Sequence, residues 1–207
     1  MDNWYKEYGI EKPYYADDYV CIVNADCREV LPRIPDESID LVLTDPPYPD
    51  QHHEYGDCDI SLLNNFGCRQ LVFWSAKVDF PLDYTAIHIW DKQTGFASEY
   101  ERIFERCGYR NYKLFNANVM NSSLAANYAY DTFWGHPSQK PRKLIDALIN
   151  YASKQGDILL DPFLGSGTTA YCAKKLNRKC IGIEIKEKYC GIAAKRCSQG
   201  VFNLNIS

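Results

Sequence analysis

The chain has 207 residues, 46% of them hydrophobic and 24% charged, an ordinary globular composition sufficient for one domain with its own core. With 16 Tyr, 9 Phe and 4 Trp it is far too aromatic for a disordered chain. No apolar run approaches the ~18 residues of a membrane span, and the acidic, aromatic opening Met1–Glu7 is not a signal peptide, so no membrane partner and a cytoplasmic location are expected. The formal net charge of −4 argues against a generic nucleic-acid binder. It is unevenly spread, however: residues 1–60 hold 4 Lys+Arg against 15 Asp+Glu, and residues 61–207 hold 19 against 12, which permits one basic face on an acidic protein. The nine cysteines contain no C-x-x-C pair, so free thiols in a reducing compartment are expected, and no metal site.

In chain order, Tyr19–Val23 reads as a buried strand with Asn24-Ala25-Asp26-Cys27 as its exit turn, and a short helix runs through Arg28–Leu31. Ile39–Thr44 is a second strand, stopped by Asp45-Pro46-Pro47 because two prolines cannot continue a central ladder. Strands are predicted at Gln70–Trp74 and Thr85–Trp90. A helix is predicted next, with Ser98 as N-cap, Glu101 completing a capping box and Gly108 past its end. On that helix Arg102, Arg106 and Arg110 share a face that can touch phosphates or simply be solvated. Lys113–Trp134, rich in Asn, Ser, Ala and Tyr, reads as irregular or part of a hairpin. Beyond Pro141 a helix carries Leu144, Ile145, Leu148 and Ile149; then come a strand at Asp157–Leu160, a glycine-rich loop, a helix from Thr168 to about Leu176, a strand at Cys180–Ile185 and a last helix over Lys186–Arg196. Strands alternating with helices give an α/β domain with a mainly parallel sheet and helices on both faces.

In such sheets ligands bind at the carboxyl ends of strands, and three exits carry candidate chemistry. Asp161-Pro162-Phe163-Leu164-Gly165-Ser166-Gly167-Thr168-Thr169 lets backbone approach a ligand closely at a helix N-terminus, but it lacks the Lys of a phosphate-binding loop. The next strand ends at Glu184, about 20 residues after the glycines, where a carboxylate can accept from two ribose hydroxyls. A ligand with a ribose and no pyrophosphate follows, and S-adenosylmethionine fits that description better than a dinucleotide. Asp45-Pro46-Pro47-Tyr48 holds a carboxylate and a neighbouring carbonyl on a rigid turn beside an aromatic ring, which suits a planar base whose amine must act as a nucleophile. In His136-Pro137-Ser138-Gln139-Lys140-Pro141, Lys140 can meet a ligand carboxylate while His136 and Gln139 hydrogen-bond nearby. His52-His53-Glu54-Tyr55, with Asp57 and Cys58, reads as a loop closing over a target rather than a metal cluster.

The three motifs together, in this order, resemble the permuted beta group of S-adenosylmethionine-dependent DNA amino-methyltransferases, which act on adenine N6 or cytosine N4. The resemblance covers roughly residues 17–197 and implies a circularly permuted, Rossmann-like fold in a single catalytic domain over 1–207. It implies that Asp45, the Pro46 carbonyl, Pro47 and Tyr48 hold a base flipped out of double-stranded DNA. It further implies that Asp26, Cys27, Asp45, His136, Gln139, Lys140, Asp161, Phe163, Gly165, Ser166, Gly167, Thr168 and Glu184 bind the cofactor. Within that set Asp26 and Cys27 take the adenine, Lys140 the methionine carboxylate and Glu184 the ribose. Transfer would be direct, with no covalent intermediate and no metal. Asp at the first catalytic position favours adenine, with cytosine the alternative. A non-catalytic subunit that needs a partner, and an RNA or protein-amide substrate, are further readings. Trp90-Asp91-Lys92 resembles a recurring segment of the family. The sequence departs from the family in leaving only a reduced recognition segment, around 113–135, as compact phage and mobile-element forms do; the family also allows a homodimer.

Overall fold

A computed structural model describes residues 3–50, 59–92, 100–109, 113–116, 133–136 and 138–199. Nine strands form one sheet: β1 (Tyr15–Ala16), β2 (Val20–Asn24), β3 (Leu41–Thr44), β4 (Arg69–Trp74), β5 (Ala86–Asp91), β6 (Tyr100–Arg106), β7 (Leu114–Asn116), β8 (Ile158–Asp161) and β9 (Lys179–Glu184). Their order across the sheet is β1-β2-β9-β8-β3-β4-β6-β5-β7. The late strands β8 and β9 thus insert, parallel, between the early strands β2 and β3. From β8 the chain moves to β9 on one side, and from β3 it moves to β4 on the other. The crevice between two strands whose connections diverge is where open α/β sheets bind ligands, and here it lies at the carboxyl ends of β3 and β8. Thr44 at the end of β3 donates to the Asp161 carboxylate at the end of β8 at 2.8 Å, which pins the two edges of the crevice together.

Among the described residues the α-helices are α1 (Cys27–Val30), α2 (Arg142–Ala152), α3 (Thr168–Lys175) and α4 (Glu187–Ser198). The last three lie side by side, α2 on α3 and α3 on α4. In α2 the buried positions are Leu144, Ile145, Leu148 and Ile149, the expected apolar stripe. Strands β3 and β9 are buried along almost their whole length, as strands covered on both faces are, whereas β5 alternates buried and half-buried residues. No described helix is long and apolar enough to cross a membrane.

One predicted element is corrected. The segment read as a helix beginning at Ser98 is, where described, strand β6, antiparallel to both β4 and β5. Its charged residues have the spacing of an amphipathic helix, but a vacant slot between two strands pairs its backbone from both sides over Arg102–Glu105. Ile103 and Phe104, neighbours that face opposite sides of the sheet, are both buried. Gly108 is there for packing, because a Cβ would lie 1.9 Å from a Glu105 carboxylate oxygen. The arginine face goes with the helix. Arg102 donates to the carbonyls of Ser75 and Val78, and Arg106 to Gln70, Asn64 and the Asp83 carbonyl, so both tie loops to the sheet. Arg110, Ser98 and the His52–Cys58 cluster lie outside the described residues, as does most of the 113–135 segment. Leu114–Asn116 adds a short edge strand parallel to β5.

Candidate active site

A cleft of about 580 Å³ opens at the β3/β8 crevice and takes in all three strand exits. On its β8/β9 side, Asp161 is buried and accepts from Thr44 and from the Phe163 N–H at 3.2 Å; burial pushes its pKa up to about 6. The following loop passes through Gly165 (φ +54°) and Gly167 (φ +77°), left-handed conformations that favour glycine. The Gly165 N–H donates to Glu184 Oε2 at 2.9 Å and the Lys186 N–H to Glu184 Oε1 at 2.8 Å. Burial raises the Glu184 pKa against the pull of those two donors. The Ile185 N–H pulls the same way, and the carboxylate stands at the cleft wall. A Cβ at Gly165 would stand 3.2 Å from His136 Nε2, so the glycine lets the imidazole close over the loop.

His136 is neutral, its pKa pushed down to about 4 by burial and by the ammonium groups of Lys140 and Lys186. Its Nδ1 accepts from the Ser138 N–H at 3.2 Å, and its ring packs edge-on to Tyr189. Gln139 accepts from the Trp134 N–H at 3.0 Å. Thr168 is bound by Arg196 at 2.8 Å. Asp26 caps α1 through the Arg28 N–H and pairs with the Arg28 guanidinium at 2.5 Å. Asp26, Cys27, Phe163, Ser166 and Thr168 line the cleft beside Glu184. Gly167 does not: a Cβ there would meet the Ala193 methyl at 2.7 Å, so this glycine serves the packing of α4 against the loop.

The other side of the cleft is a buried charge cluster. Asp45 leaves β3 ahead of Pro46 and Pro47, whose fixed φ angles turn the chain out of the sheet. The Tyr48 hydroxyl lies 2.7 Å from Asp45 Oδ1 and 3.0 Å from Glu101 Oε2. The Lys140 ammonium is bonded to Asp45 Oδ2 and stands 3.4 Å from the same Glu101 oxygen. Lys92 holds the second Glu101 oxygen at 2.7 Å. Around Lys140 stand the rings of Phe73, Tyr48 and Trp90, at 5.0, 5.9 and 5.9 Å, within cation–π range. Burial alone would discharge this ammonium, but Asp45 and Glu101 outweigh it and raise the Lys140 pKa. Burial also pushes the Glu101 carboxyl up, yet Lys140 and Lys92 bring it below its ordinary value. For Asp45 burial wins, opposed by Lys140 and reinforced by Glu101, so its pKa is raised. Of the two carboxylates, Asp45 is therefore the readier to take a proton.

The sequence reading gave Lys140 to a ligand carboxylate; the structure gives it two carboxylates of the protein itself. That reading also missed Glu101 as a site residue, having placed it in a helix cap. Lys92, singled out within Trp90-Asp91-Lys92, proves to be Glu101's partner. The apolar pair Ile103-Phe104 at the centre of β6 was masked by the helical spacing of the charges around it.

Residues 74–195, more than half of the chain, match the DNA methylase family N6_N4_Mtase. The chain belongs to this DNA methylase family. The methylase is accordingly a DNA amino-methyltransferase with S-adenosylmethionine as its cofactor. Among curated relatives it is 27% identical to the Type II methyltransferase M2.LlaDCHI of Lactococcus lactis subsp. cremoris, over 96% of this chain and 97% of that one. It is 26% identical to M2.DpnII of Streptococcus pneumoniae over 94% and 96%. The first alignment runs over 264 residues, more than the methylase contains, so that relative carries segments absent here. Among solved structures, the PvuII DNA methyltransferase (cytosine-N4-specific) shares the fold at a TM-score of 0.68 and 19% identity, covering 95% of this chain and 91% of that chain. The M1.HpyAVI–SAM complex does so at 0.58 and 22%, covering 86% and 99%.

Proposed function

We propose that the methylase transfers the methyl group of S-adenosylmethionine to the N6 amine of an adenine flipped out of double-stranded DNA. The observation that carries this is the pairing, in one cleft, of a half-buried acceptor carboxylate at the end of β3 with a second one at the end of β9. The residues fit the cofactor: Glu184 presents its carboxylate at the cleft wall for ribose hydroxyls, Gly165 provides close backbone approach, and Asp26, Cys27 and Phe163 line the wall beside them. The bound cofactor supplies an electrophilic sulfonium methyl.

The chain's own residues do the rest. A base amine has its lone pair delocalised into the ring, so an acceptor that draws on an N–H restores nucleophilic character at nitrogen. Asp45 is that acceptor, with the Pro46 carbonyl as a second, and the Pro46-Pro47 turn holds both without a conformational cost at the moment of reaction. The amine gains a positive charge on methylation and must shed a proton, which Asp45, its pKa raised by burial, is suited to accept. The cleft's cysteine, Cys27, has its thiol pushed up to about 11 by burial and so stays protonated at neutral pH, which supports direct transfer without a covalent step.

Adenine is favoured because Asp rather than Ser stands first in the catalytic turn. A second reading, cytosine N4, is favoured by one observation, the TM-score of 0.68 to a cytosine-N4-specific enzyme. The test is transfer of a tritiated methyl group to unmethylated DNA followed by nucleoside digestion and mass spectrometry. N6-methyldeoxyadenosine is expected, N4-methyldeoxycytidine would install the second reading, and label retained on protein or only on RNA would overturn both.

A further inference from the structure

The charge cluster contains one more carboxylate than the proposed reaction uses. Asp45 suffices to accept a base amine, yet Glu101, with a side chain only 13% exposed, is buried beside it. Both oxygens of Asp45 are already engaged, one by the Tyr48 hydroxyl and the other by the Lys140 ammonium. Both of those donors also lie against one oxygen of Glu101, at 3.0 and 3.4 Å. Glu101 itself is anchored, because Lys92 grips its other oxygen and its backbone pairs with Trp90 of β5. Two donors therefore stand between two acceptors. An arriving amine brings N–H groups of its own to Asp45, and a buried ammonium deprived of its carboxylate would be strongly penalised.

We propose that Glu101 is a positioning residue that takes over the Tyr48 hydroxyl and the Lys140 ammonium as the target amine arrives, freeing Asp45 to hold it. The inference rests on the reading that Asp45 holds the amine. The transfer breaks no covalent bond and moves no net charge, since Asp45, Glu101, Lys140 and Lys92 already balance. The rings of Phe73, Tyr48 and Trp90 keep Lys140 in place while its partner changes. The groups facing Asp45 are Tyr48 from its own turn, Lys140 from the loop before α2, Glu101 from β6 backed by Lys92 from the end of β5, and Asp161 from β8.

The test is Glu101→Gln in the full-length enzyme, read by single-turnover transfer at saturating cofactor and DNA across pH, with cofactor affinity measured separately. Loss of one charge-assisted acceptor is expected to slow transfer by about 10- to 100-fold. Cofactor affinity should stay at the wild-type value. The rate needs ionised Asp45, and Glu101 is one of the charges that raise its pKa, so the acid limb of the profile should move to lower pH. Glu101→Asp, which keeps the charge, should recover much of the rate and leave the limb in place. An unchanged rate in Glu101→Gln, or a rate lowered at every pH with the limb unmoved, would overturn the proposal. Should that variant not fold, a wild-type crystal structure with target DNA and sinefungin decides: Lys140 closer to Glu101 than to Asp45 supports the exchange, and Lys140 still on Asp45 rejects it. Asp45→Ala separates the two ideas, because full activity in that variant would remove the underlying reading itself.

Discussion

The two walls of the cleft are built by different means. The β8/β9 wall is built largely on backbone: a glycine loop, a helix start and the Glu184 carboxylate held by backbone amides, most of it contributed by residues 161–186 of one continuous stretch. The β3/β6 wall presents side chains, two carboxylates and two ammonium groups, assembled from segments as far apart as Asp45 and Lys140. A wall of backbone suits a ligand that is always the same, since amides cannot be retuned. A wall of exchangeable charged side chains suits a substrate that enters and leaves and whose amine changes charge in the reaction.

If this division holds, damage to one wall should change rate and damage to the other should change affinity. Asp45→Ala is expected to have the largest effect, lowering the methyl-transfer rate by about 10²- to 10³-fold. Calorimetry should show cofactor binding intact; lost binding would break the comparison. Glu184→Gln should weaken cofactor binding by about 10- to 100-fold, while the rate at saturating cofactor stays near wild type.

Two glycines separate packing from backbone strain. Gly167→Ala forces a Cβ to within 2.7 Å of Ala193 at a φ of +77° and should cost about 1–3 kcal/mol in denaturant unfolding. Gly135→Ala, at φ +87° with open space around it, should cost less, about 1 kcal/mol. The remaining prediction concerns His136. Its folded pKa of about 4 lies below the ordinary value of 6.5, so the unfolded chain binds the proton more readily. That contribution to stability is present above pH 6.5 and is lost as pH falls towards 4. Melting temperatures of His136→Gln should therefore decline less than those of wild type between pH 7 and pH 5.

What was legible in the sequence follows the same line. The β8/β9 wall was readable because its parts are close in sequence and its constraints are local: glycines at left-handed turns, and an acidic residue one strand beyond them. Even there Gly167 was assigned to the ligand when it packs against Ala193, a contact with α4 that no loop motif encodes. On the β3/β6 wall Asp45-Pro46-Pro47-Tyr48 was readable, for proline fixes its own φ wherever the chain goes, and Lys140 was picked out without its protein partners. Glu101 was misplaced because Tyr100–Arg106 carries charges at helical spacing, and only the open slot between β4 and β5 makes it a strand.

By itself, then, the sequence determined the alternation of strands and helices, the points at which strands must end, and the two carboxylates at those ends. These depend on hydrophobic period and on the backbone limits of proline and glycine, which act over a few residues. The tertiary structure alone decided that Glu101 meets Tyr48 across 53 residues of chain and that Lys140 meets Asp45 across 95. Charges buried together are stable only as a complete set, and that set exists only once the strands that carry it are side by side.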